Sequence, residues 1–315
     1  MITVQKSLTI NSKHLPKIVG IFQNHGAQLR LVGGVVRDAM LGIKNADIDL
    51  ATDLLPEQVI DLLQKQGIKT IPTGIKFGTV TAIIEKEFFE ITTLRLDIES
   101  DGRHAKVRYS KDFKEDAERR DFTINALSYC PINHVVYDYF SGLEDLKNRE
   151  VKFIGTPKAR IGEDYLRILR FFRFSCRFAK EIDQQGLQAC AKYKDQLSTL
   201  SKERIKSEFD LFLPLAGSAK ILALMSEYGI LKSALSNAIY KQNEHLKATH
   251  LAEKFQIDSA LPIIYALLFR GDKNLSHNSL LDLKFSRAEA RVILNLVALE
   301  KIIHDQEELV IHLKA

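Results

Sequence analysis

The sequence predicts an α+β protein in which a mixed-sheet N-terminal head is followed by an all-helical neck, body and short tail. Strand-like and helix-like stretches alternate over residues 1–140. From residue 162 onward the pattern is almost entirely helical, with proline only at Pro214 and Pro262. The length of 315 residues is long for one hydrophobic core. We therefore expect a head over residues 1–140, a neck over 141–213 and a body with a tail over 214–315.

Each element of the head follows from its local composition. One helix is predicted over residues 35–41, after a pair of glycines, and another over 56–66, which has Pro56 in its first turn and Gly67 as a stop. Strands are predicted where β-branched and aromatic residues cluster or alternate with polar ones, over residues 28–32, 46–51, 77–84, 88–94, 122–130 and 134–140. The polar, charged stretch 97–116 is expected to be a loop.

Composition and charge limit the class of protein. A chain with 45% hydrophobic and 27% charged residues is globular rather than disordered. No apolar run approaches the roughly 20 residues of a membrane span, and the N-terminus lacks the apolar stretch of a secretory signal. The three cysteines are scattered without a CxxC pair, which fits a reducing cytoplasm. The net charge of +5 is compatible with a polyanionic partner or with ordinary surface chemistry.

Asp47 and Asp49 are the first candidate functional residues. One residue separates them in an extended segment, so their carboxylates are expected to share a face of the strand. The two would repel each other unless a cation lay between them, and carboxylate oxygens suit Mg²⁺. The alternative is a solvent-exposed pair on a strand edge. Glu90, on a later strand, could supply a third carboxylate or be an exposed strand-edge charge.

Gly33 and Gly34 lie about fifteen residues upstream, between a predicted strand and a predicted helix. Glycines let the backbone approach a ligand closely, and the N-terminus of the following helix offers free N–H groups to an anion. Arg37 on that helix adds a positive charge, and Asp38 could orient Arg37 or cap the helix locally. A phosphate cradle followed by a pair of carboxylates is the layout that nucleotidyl transfer requires.

Five motifs follow one another between about residues 29 and 210. They are LVGGVVRDAMLG with ADIDLATD, RRDFTIN at 119–125, DYFSGLEDL at 138–146, RIGEDYLR at 160–167 and SKERIKSE at 201–208. Together they resemble the motifs of class II tRNA nucleotidyltransferases and the related bacterial poly(A) polymerases, which belong to the polymerase-β-like nucleotidyltransferase superfamily. Residues 211–315 match no motif that we can place. The segment TGIKFGTV is similar to the family's TGxxHGTV but has Phe77 in place of histidine, and Ser141 stands where a second glycine is common.

The resemblance implies roles for residues in these motifs. It implies that Arg120 contacts phosphates and that Asp121 and Asn125 lie near the ribose. It also implies that the segment 95–116 takes part in the switch from C to A addition. From the EDxxR motif it implies that Asp164 and Arg167 read the nucleobase.

Base selection by Asp164 and Arg167 is chemically reasonable. The residues are three apart on a predicted helix, so they are expected to lie on one side of it. A carboxylate accepts from the exocyclic amine of cytosine or adenine while a guanidinium donates to the adjacent ring nitrogen, and uracil and guanine reverse that pattern. The alternative is a plain intrahelical ion pair. Arg170, one helical turn on, is also expected to face the nucleotide, although the arginines at 167, 170, 173 and 177 could instead flank a core helix.

The expected activity is template-independent addition of CCA to the 3′ end of tRNA from CTP and ATP, with Mg²⁺ held by Asp47 and Asp49. Neither a membrane nor DNA is an expected partner, and the oligomeric state is not predicted. Four alternatives stay open: a poly(A) polymerase, a partial A-adding or CC-adding enzyme, a catalytically inactive RNA-binding module, and a nucleotidyltransferase acting on a small molecule. In the tail, the polar segment 237–258 could touch tRNA or be ordinary surface, and His304–Asp305 is interpreted as surface.

Overall fold

The computed structural model of the protein describes residues 1–44, 47–100, 105–257 and 259–299. The chain divides into two compact units, Met1–Asp164 and Tyr165–Ala315. The first unit contains the sheets, and the described part of the second unit is helical, which confirms the predicted α+β class. The finer division into head, neck and body stays a prediction. Among the helices of the described ranges, none combines the length and the apolar character needed to cross a membrane.

Ten strands in the described residues build the first unit. They are β1 (Ile2–Gln5), β2 (Leu29–Val32), β3 (Ile48–Thr52), β4 (Lys69–Gly74), β5 (Thr79–Ile84), β6 (Glu87–Thr93), β7 (Arg95–Ser100), β8 (Ala105–Tyr109), β9 (Ser128–Cys130) and β10 (Val135–Asp138). Eight of them form one mixed sheet in the order β1-β10-β9-β2-β3-β6-β5-β4, while β7 and β8 pair separately. The β3–β6 pair is parallel, and its neighbours in the sheet are antiparallel.

The helices of the first unit are α1 (Leu15–Asn24), α2 (Gly34–Met40), α3 (Pro56–Gln64), α4 (Phe113–Glu118), α5 (Gly142–Asn148) and α6 (Pro157–Glu163). Those of the second unit are α7 (Leu166–Phe178), α8 (Gln184–Tyr193), α9 (Lys202–Phe212), α10 (Ser218–Glu227), α11 (Ile230–Ala234), α12 (Gln242–Lys254), α13 (Leu261–Phe269) and α14 (His277–Asp282). Residues 287–299 are also helical. The tail segment 237–258 falls mainly on α12, whereas His304–Asp305 lies outside the described residues.

The two faces of the large sheet have different characters at its centre. Leu31, Leu50 and Ile91 are direct neighbours on β2, β3 and β6, and all three side chains are fully buried. Asp49 and Glu90 are also direct neighbours, and they alternate with this buried row. Because successive side chains of a strand point to opposite faces, the carboxylates lie on the face opposite the leucine–isoleucine row.

The expectation of a loop over residues 97–116 is wrong for most of the described part of that segment and holds only for residues 110–112. Its backbone pairs as β7 and β8, with Arg95 opposite Tyr109, and continues into α4. Leu96 and Ile98 alternate with charged residues, which is a strand pattern that the high charge of the segment conceals. Residues 101–104 lie outside the described ranges.

A 3₁₀ turn replaces the beginning of two predicted strands. In the stretch 122–130 only β9 is a strand, because Thr123–Asn125 forms a 3₁₀ turn. The side chain of Asp121 accepts a hydrogen bond from the Phe122 amide, a local contact that competes with strand pairing. The strand predicted over residues 77–84 starts inside the 3₁₀ turn Ile75–Phe77, and the observed strand β5 therefore begins only at Thr79.

Candidate active site

The glycine pair forms the turn between β2 and α2. Gly33 has φ 73° and ψ −128°, a conformation that strains any residue with a side chain. A Cβ at this position would also lie 2.6 Å from Nη1 of Arg120. Glycine is therefore required here by the backbone and by the guanidinium that packs against it. The turn brings Arg120 of the RRDFTIN motif into contact with Gly33.

Arg37 lies beneath this turn in a buried hydrogen-bond network. Its Nε donates to Oδ1 of Asp38 over 2.7 Å, so Asp38 orients Arg37 as the sequence suggested. Its Nη1 donates to Oδ1 of Asn125 over 2.5 Å, and Nδ2 of Asn125 donates to Oδ1 of Asp121 over 3.0 Å. All four side chains are buried. The network joins α2 to the 3₁₀ turn at 123–125 and fixes the predicted ribose-binding residues relative to the predicted phosphate cradle.

Asp116 holds two arginines of the same motif. Nη2 of Arg120 lies 3.2 Å from one of its oxygens, and Arg119 donates to the other over 2.9 Å. Burial acts to raise the pKa of this carboxyl, but the two guanidinium groups outweigh burial and hold its pKa below the usual range. A carboxylate shared by two arginines leaves a net positive charge beside the glycine turn.

The predicted carboxylates meet at the sheet surface on the strands β3 and β6. Asp49 is partly buried, Glu90 is exposed, and Asp47 is exposed one residue before β3 begins. Burial, then Glu90, and to a smaller extent Asp47 raise the pKa of Asp49 to about 6, while Arg120 opposes the rise. The structure therefore brings the two aspartates, Glu90 and Arg120 within electrostatic reach of one another.

This donor set fits a divalent cation. Carboxylate oxygens are hard ligands. Burial and, after it, repulsion by Glu90 raise the pKa of Asp49, and a bound cation would offset both by favouring the charged carboxylate. Among the described residues, no group of three Asp, Glu, His or Cys side chains is placed so that it could hold a metal ion. Mg²⁺ commonly binds through one or two carboxylates and completes its coordination with water and substrate phosphates, and two aspartates are enough for that mode of binding.

Asp138 organises the segment after β10, and sequence analysis did not single it out. Its carboxylate accepts hydrogen bonds from the amides of Phe140, Gly142 and Leu143 at 2.9 to 3.0 Å, and the residue is 1% exposed. A Cβ on Gly142 would lie 2.2 Å from the carbonyl oxygen of Thr123. The DYFSGLEDL motif thus packs its backbone against the turn that carries Asn125. In the sequence, only the DYFSGLEDL motif as a whole pointed to this segment, and nothing in it marked Asp138 in particular.

Sequence analysis also did not single out Arg30, on the carboxylate face of β2. Its Cζ lies 3.9 Å from the ring centre of Phe113 and 3.7 Å from that of Tyr137. Its Nη1 donates to the Tyr139 hydroxyl over 3.2 Å. A lone arginine in a predicted strand gives no signal for this stacking, because the aromatic partners come from distant segments.

The EDxxR residues do not share one helix. Helix α6 ends at Glu163, and Asp164 has the extended conformation φ −157°, ψ 109° before α7 begins at Leu166. The intrahelical arrangement of Asp164 and Arg167 predicted from their spacing is therefore wrong, because the chain leaves the helical conformation at the aspartate. Arg167 lies in the first turn of α7.

Further along α7, the arginines make contacts within the second unit. Arg173 donates to Glu208 of α9 over 2.6 Å, and Nη1 of Arg170 lies 3.6 Å from the same carboxylate. The guanidinium of Arg170 also lies 5.2 Å from the ring centre of Phe174. These contacts are those of arginines that flank a packed helix, the alternative that the sequence left open.

Comparison with known proteins identifies the family. Residues 29–152 match the family model described as "Poly A polymerase head domain", and residues 181–239 match "Probable RNA and SrmB- binding site of polymerase A". The chain is 38% identical over 298 residues to the mitochondrial CCA tRNA nucleotidyltransferase 1 of Danio rerio, covering 91% of this chain and 68% of that protein. The chain belongs to the CCA tRNA nucleotidyltransferase family. The human relative is 45% identical over 203 residues, 63% of this chain.

Solved structures of the family share the fold. The crystal structure of the Bacillus stearothermophilus CCA-adding enzyme in complex with CTP is 26% identical, with a TM-score of 0.68, and the match covers 93% of this chain and 71% of that one. A tRNA nucleotidyltransferase complexed with a primer tRNA and an ATP analogue matches with a TM-score of 0.74 at 23% identity, covering 93% and 86% of the two chains. The match to the human relative spans about half of that protein. Because the named animal relatives are mitochondrial, the expected cytoplasmic location stays a prediction.

Proposed function

We propose that the protein adds CCA to the 3′ end of tRNA, consuming CTP and ATP and releasing pyrophosphate at each addition. The observation that carries this proposal is the placement of Asp49 and Glu90 side by side on parallel strands, within electrostatic reach of Arg120 at the Gly33 turn. Family membership supports the same activity. The cluster combines ligands for a cation with a positive charge beside a turn suited to phosphate.

The roles of the site residues follow from that placement. Asp47 and Asp49 would hold Mg²⁺, with Glu90 as a third carboxylate at the same surface. Bound Mg²⁺ would activate the primer 3′-hydroxyl and stabilise the charge that develops on the leaving pyrophosphate. The amide of Gly34 and the Arg120 guanidinium would bind the triphosphate beside Gly33, whose own amide donates to the Leu127 carbonyl over 3.0 Å.

Arg37 would support the triphosphate site from below, through its network with Asn125. Asp38 would keep Arg37 in place. Asp121 and Asn125 would lie near the ribose, where hydroxyl recognition distinguishes ribonucleotides from deoxyribonucleotides. Because these side chains are buried and hydrogen-bonded to one another, they would act as a preformed wall of the site.

Base selection would depend on Asp164 and Arg167. Asp164 lies in an extended backbone conformation after α6, and its carboxylate would accept from the amine of cytosine or adenine. Arg167 would donate to the ring nitrogen, and Arg170 would extend the basic face of α7. Replacing Arg167 by alanine should therefore relax nucleotide choice more than it weakens metal binding. Unchanged preference for C and A over U in Arg167→Ala would contradict this assignment, and Arg177→Ala, on the same helix, controls for loss of charge.

The decisive experiment uses three RNAs and four nucleotides. The protein is given tRNA without CCA, tRNA lacking only the terminal A, or an unrelated RNA, with each NTP tested alone and CTP with ATP tested together. Two cytidines and one adenosine on the first RNA, and one adenosine on the second, are expected. Extension of the unrelated RNA by many adenosines would instead identify a poly(A) polymerase, and addition to only one tRNA would identify a partial enzyme.

Binding measurements separate the proposed enzyme from an inactive module and from a small-molecule nucleotidyltransferase. An inactive RNA-binding module would retain tRNA in a gel shift but show no Mg²⁺-dependent nucleotide binding. A nucleotidyltransferase for small molecules would not bind tRNA. Asp49→Asn serves as the matched inactive control in each assay, because it removes one charge from the cluster and keeps the shape of the side chain.

A further inference from the structure

An aromatic side chain is left exposed in the interior of the large sheet. Phe88 lies on β6, which has β3 on one side and β5 on the other, yet 58% of its surface is exposed. Phe89, the next residue, is fully buried, so the two rings point to opposite faces of the strand. Phe88 therefore belongs to a face of the sheet that is uncovered at this strand.

The exposed ring lies on the carboxylate face, next to the candidate metal ligands. Phe88 precedes Glu90 by two residues on β6, so both side chains point to the same face, roughly 7 Å apart along the strand. Ile48 on β3 is the direct partner of Phe89. Continuing this register by one residue places the backbone of Asp47 about one strand spacing, roughly 5 Å, from that of Phe88. A nucleotide whose ribose lies at the carboxylates can therefore place its base on this ring.

Cross-strand partners extend the surface around Phe88 over β5 and β4. Ile83 pairs with Phe88, and Lys69 pairs with Ile83, so the three side chains form one row on the carboxylate face. Ile71, which pairs with Thr81 in the next row, exposes 37% of its surface. Lys69 is exposed and lies two strand spacings, roughly 10 Å, from Phe88. An aromatic ring with a cation further along the same surface is the combination with which proteins bind single-stranded nucleic acid irrespective of its sequence.

The sheet order assigns this surface to the primer rather than to the incoming nucleotide. Because antiparallel pairing sets Leu31 of β2 opposite Leu50 of β3, the glycine turn after β2 lies beside the start of β3. In the order β2-β3-β6-β5, the two aspartates at that start lie between the glycine turn and Phe88. In-line displacement needs the attacking hydroxyl on the side of the α-phosphorus opposite the leaving pyrophosphate. The triphosphate occupies the side of the glycine turn, so the primer approaches from the β6 side.

We propose that Phe88 stacks against the 3′-terminal base of the RNA primer and that Lys69 pairs with a phosphate of the primer strand upstream of that base. This assignment rests on the proposed function and adds a primer-binding surface to it. Because every base has a π-face, stacking does not depend on which base ends the primer. That property suits an enzyme whose primer changes its terminal base during the reaction.

The first test measures stacking with an acceptor-stem minihelix that lacks CCA and carries 2-aminopurine as its unpaired 3′ nucleotide. Stacking on Phe88 should quench the fluorescence of the wild-type complex. Phe88→Val, which keeps a residue favoured in strands but removes the ring, should lose this quenching and raise KM for the minihelix about tenfold, with KM for CTP unchanged. Phe88→Trp is the matched control, because it keeps an aromatic ring and should keep both properties. Thermal unfolding verifies that each variant is folded.

The second test measures the salt dependence of minihelix binding. Lys69→Gln should reduce the slope of log Kd against log salt concentration by about 0.7, the value for one phosphate contact with a single strand. Phe88→Val should leave that slope unchanged, because a stacked base releases no counterion. Lys17→Gln, at an exposed residue of α1, controls for loss of one positive charge and should also leave the slope unchanged.

Two outcomes would overturn the role of Phe88, and a third would overturn that of Lys69. The first is quenching and minihelix KM in Phe88→Val equal to those of the wild type. The second is a rise in KM for CTP rather than for the minihelix, which would assign Phe88 to the incoming base. The third is an unchanged salt slope in Lys69→Gln. The proposed function fails separately: in that case the wild-type protein adds no nucleotide to the minihelix, whether or not quenching is seen.

Discussion

Replacing Asp49 by asparagine should stabilise the protein when divalent cations are removed. In the folded chain the pKa of Asp49 is raised from 3.8 to about 6, first by burial and then by Glu90. The difference of about 2 pKa units corresponds to about 3 kcal/mol at neutral pH, at 1.36 kcal/mol for each unit. Because the side chain is only partly buried, solvent screening reduces this to roughly 1–2 kcal/mol. Asparagine keeps the shape and removes the charge that carries the penalty.

The pH dependence gives this prediction a definite sign. A carboxyl with a raised pKa in the folded state binds its proton more tightly there than in the unfolded chain, so stability falls as the pH rises from about 4 to about 6. Above that range the wild-type protein carries the full penalty, and below it the penalty disappears. The gain from Asp49→Asn should therefore be complete at pH 7.5 and absent near pH 4.

The assay is thermal unfolding in EDTA at several pH values, followed by titration with Mg²⁺. A gain of 1–2 kcal/mol should raise the melting temperature of the unit by about 2–8 °C at pH 7.5. Mg²⁺ should then stabilise the wild-type protein more than Asp49→Asn, and the variant should incorporate no nucleotide. Asp61→Asn, at an exposed residue paired with Lys65, controls for loss of one negative charge. A variant no more stable than the wild type in EDTA at pH 7.5 would refute the reasoning.

Three further substitutions test other parts of the structure. Gly33→Ala should displace the Arg120 guanidinium and raise KM for the nucleotide by about tenfold or more. Gly26→Ala is the control: Gly26 has a similar φ of 74° but open space around it, so the substitution should lower stability and leave KM for the nucleotide unchanged. Asp138→Ala should lower the free energy of unfolding by about 2–4 kcal/mol in urea denaturation, because three amides, one buried and two partly buried, lose their acceptor; a loss below about 0.5 kcal/mol would contradict the role given to its carboxylate. Burial lowers the pKa of His245 from its ordinary value of 6.5, so stability should fall as the pH drops below about 6.5 and level off once the pH is under the folded pKa; His245→Gln should lessen that fall in a pH series of melting temperatures, and an unchanged slope would exclude the effect.

The elements that the sequence predicted well are those whose signal is local. Helix α3 begins at Pro56 as expected and ends three residues before Gly67, and β2 and β3 match their alternating patterns within two residues. Asp49 and Glu90 were identified individually as candidates, and their placement side by side depends on a parallel pairing between distant strands. Local periodicity carries no information about which strands pair, so that adjacency could not be derived.

The mistakes have physical causes that the sequence conceals. The EDYLR spacing fits one helical turn, but the chain takes an extended conformation at Asp164, and nothing in the residue types marks that break. The charged segment after Leu94 forms strands, because cross-strand pairing such as Arg95 with Tyr109 overrides its polar composition. Arg30 shows a third case, since its two aromatic partners lie more than 80 residues away in the chain.

Arg120 connects the two halves of the candidate site. It packs against Gly33, pairs with the buried Asp116 and acts on Asp49, whose pKa it lowers against the effect of burial and Glu90. Asp116 also carries Arg119, so the group retains a net positive charge even though each arginine has a carboxylate partner. A positive charge fixed in this way does not have to reorganise when a triphosphate arrives, which is the condition for strong electrostatic stabilisation. What matters for the two arginines of the RRDFTIN motif is therefore less how many charges they carry than the buried Asp116, just before the motif, which holds both of them in place.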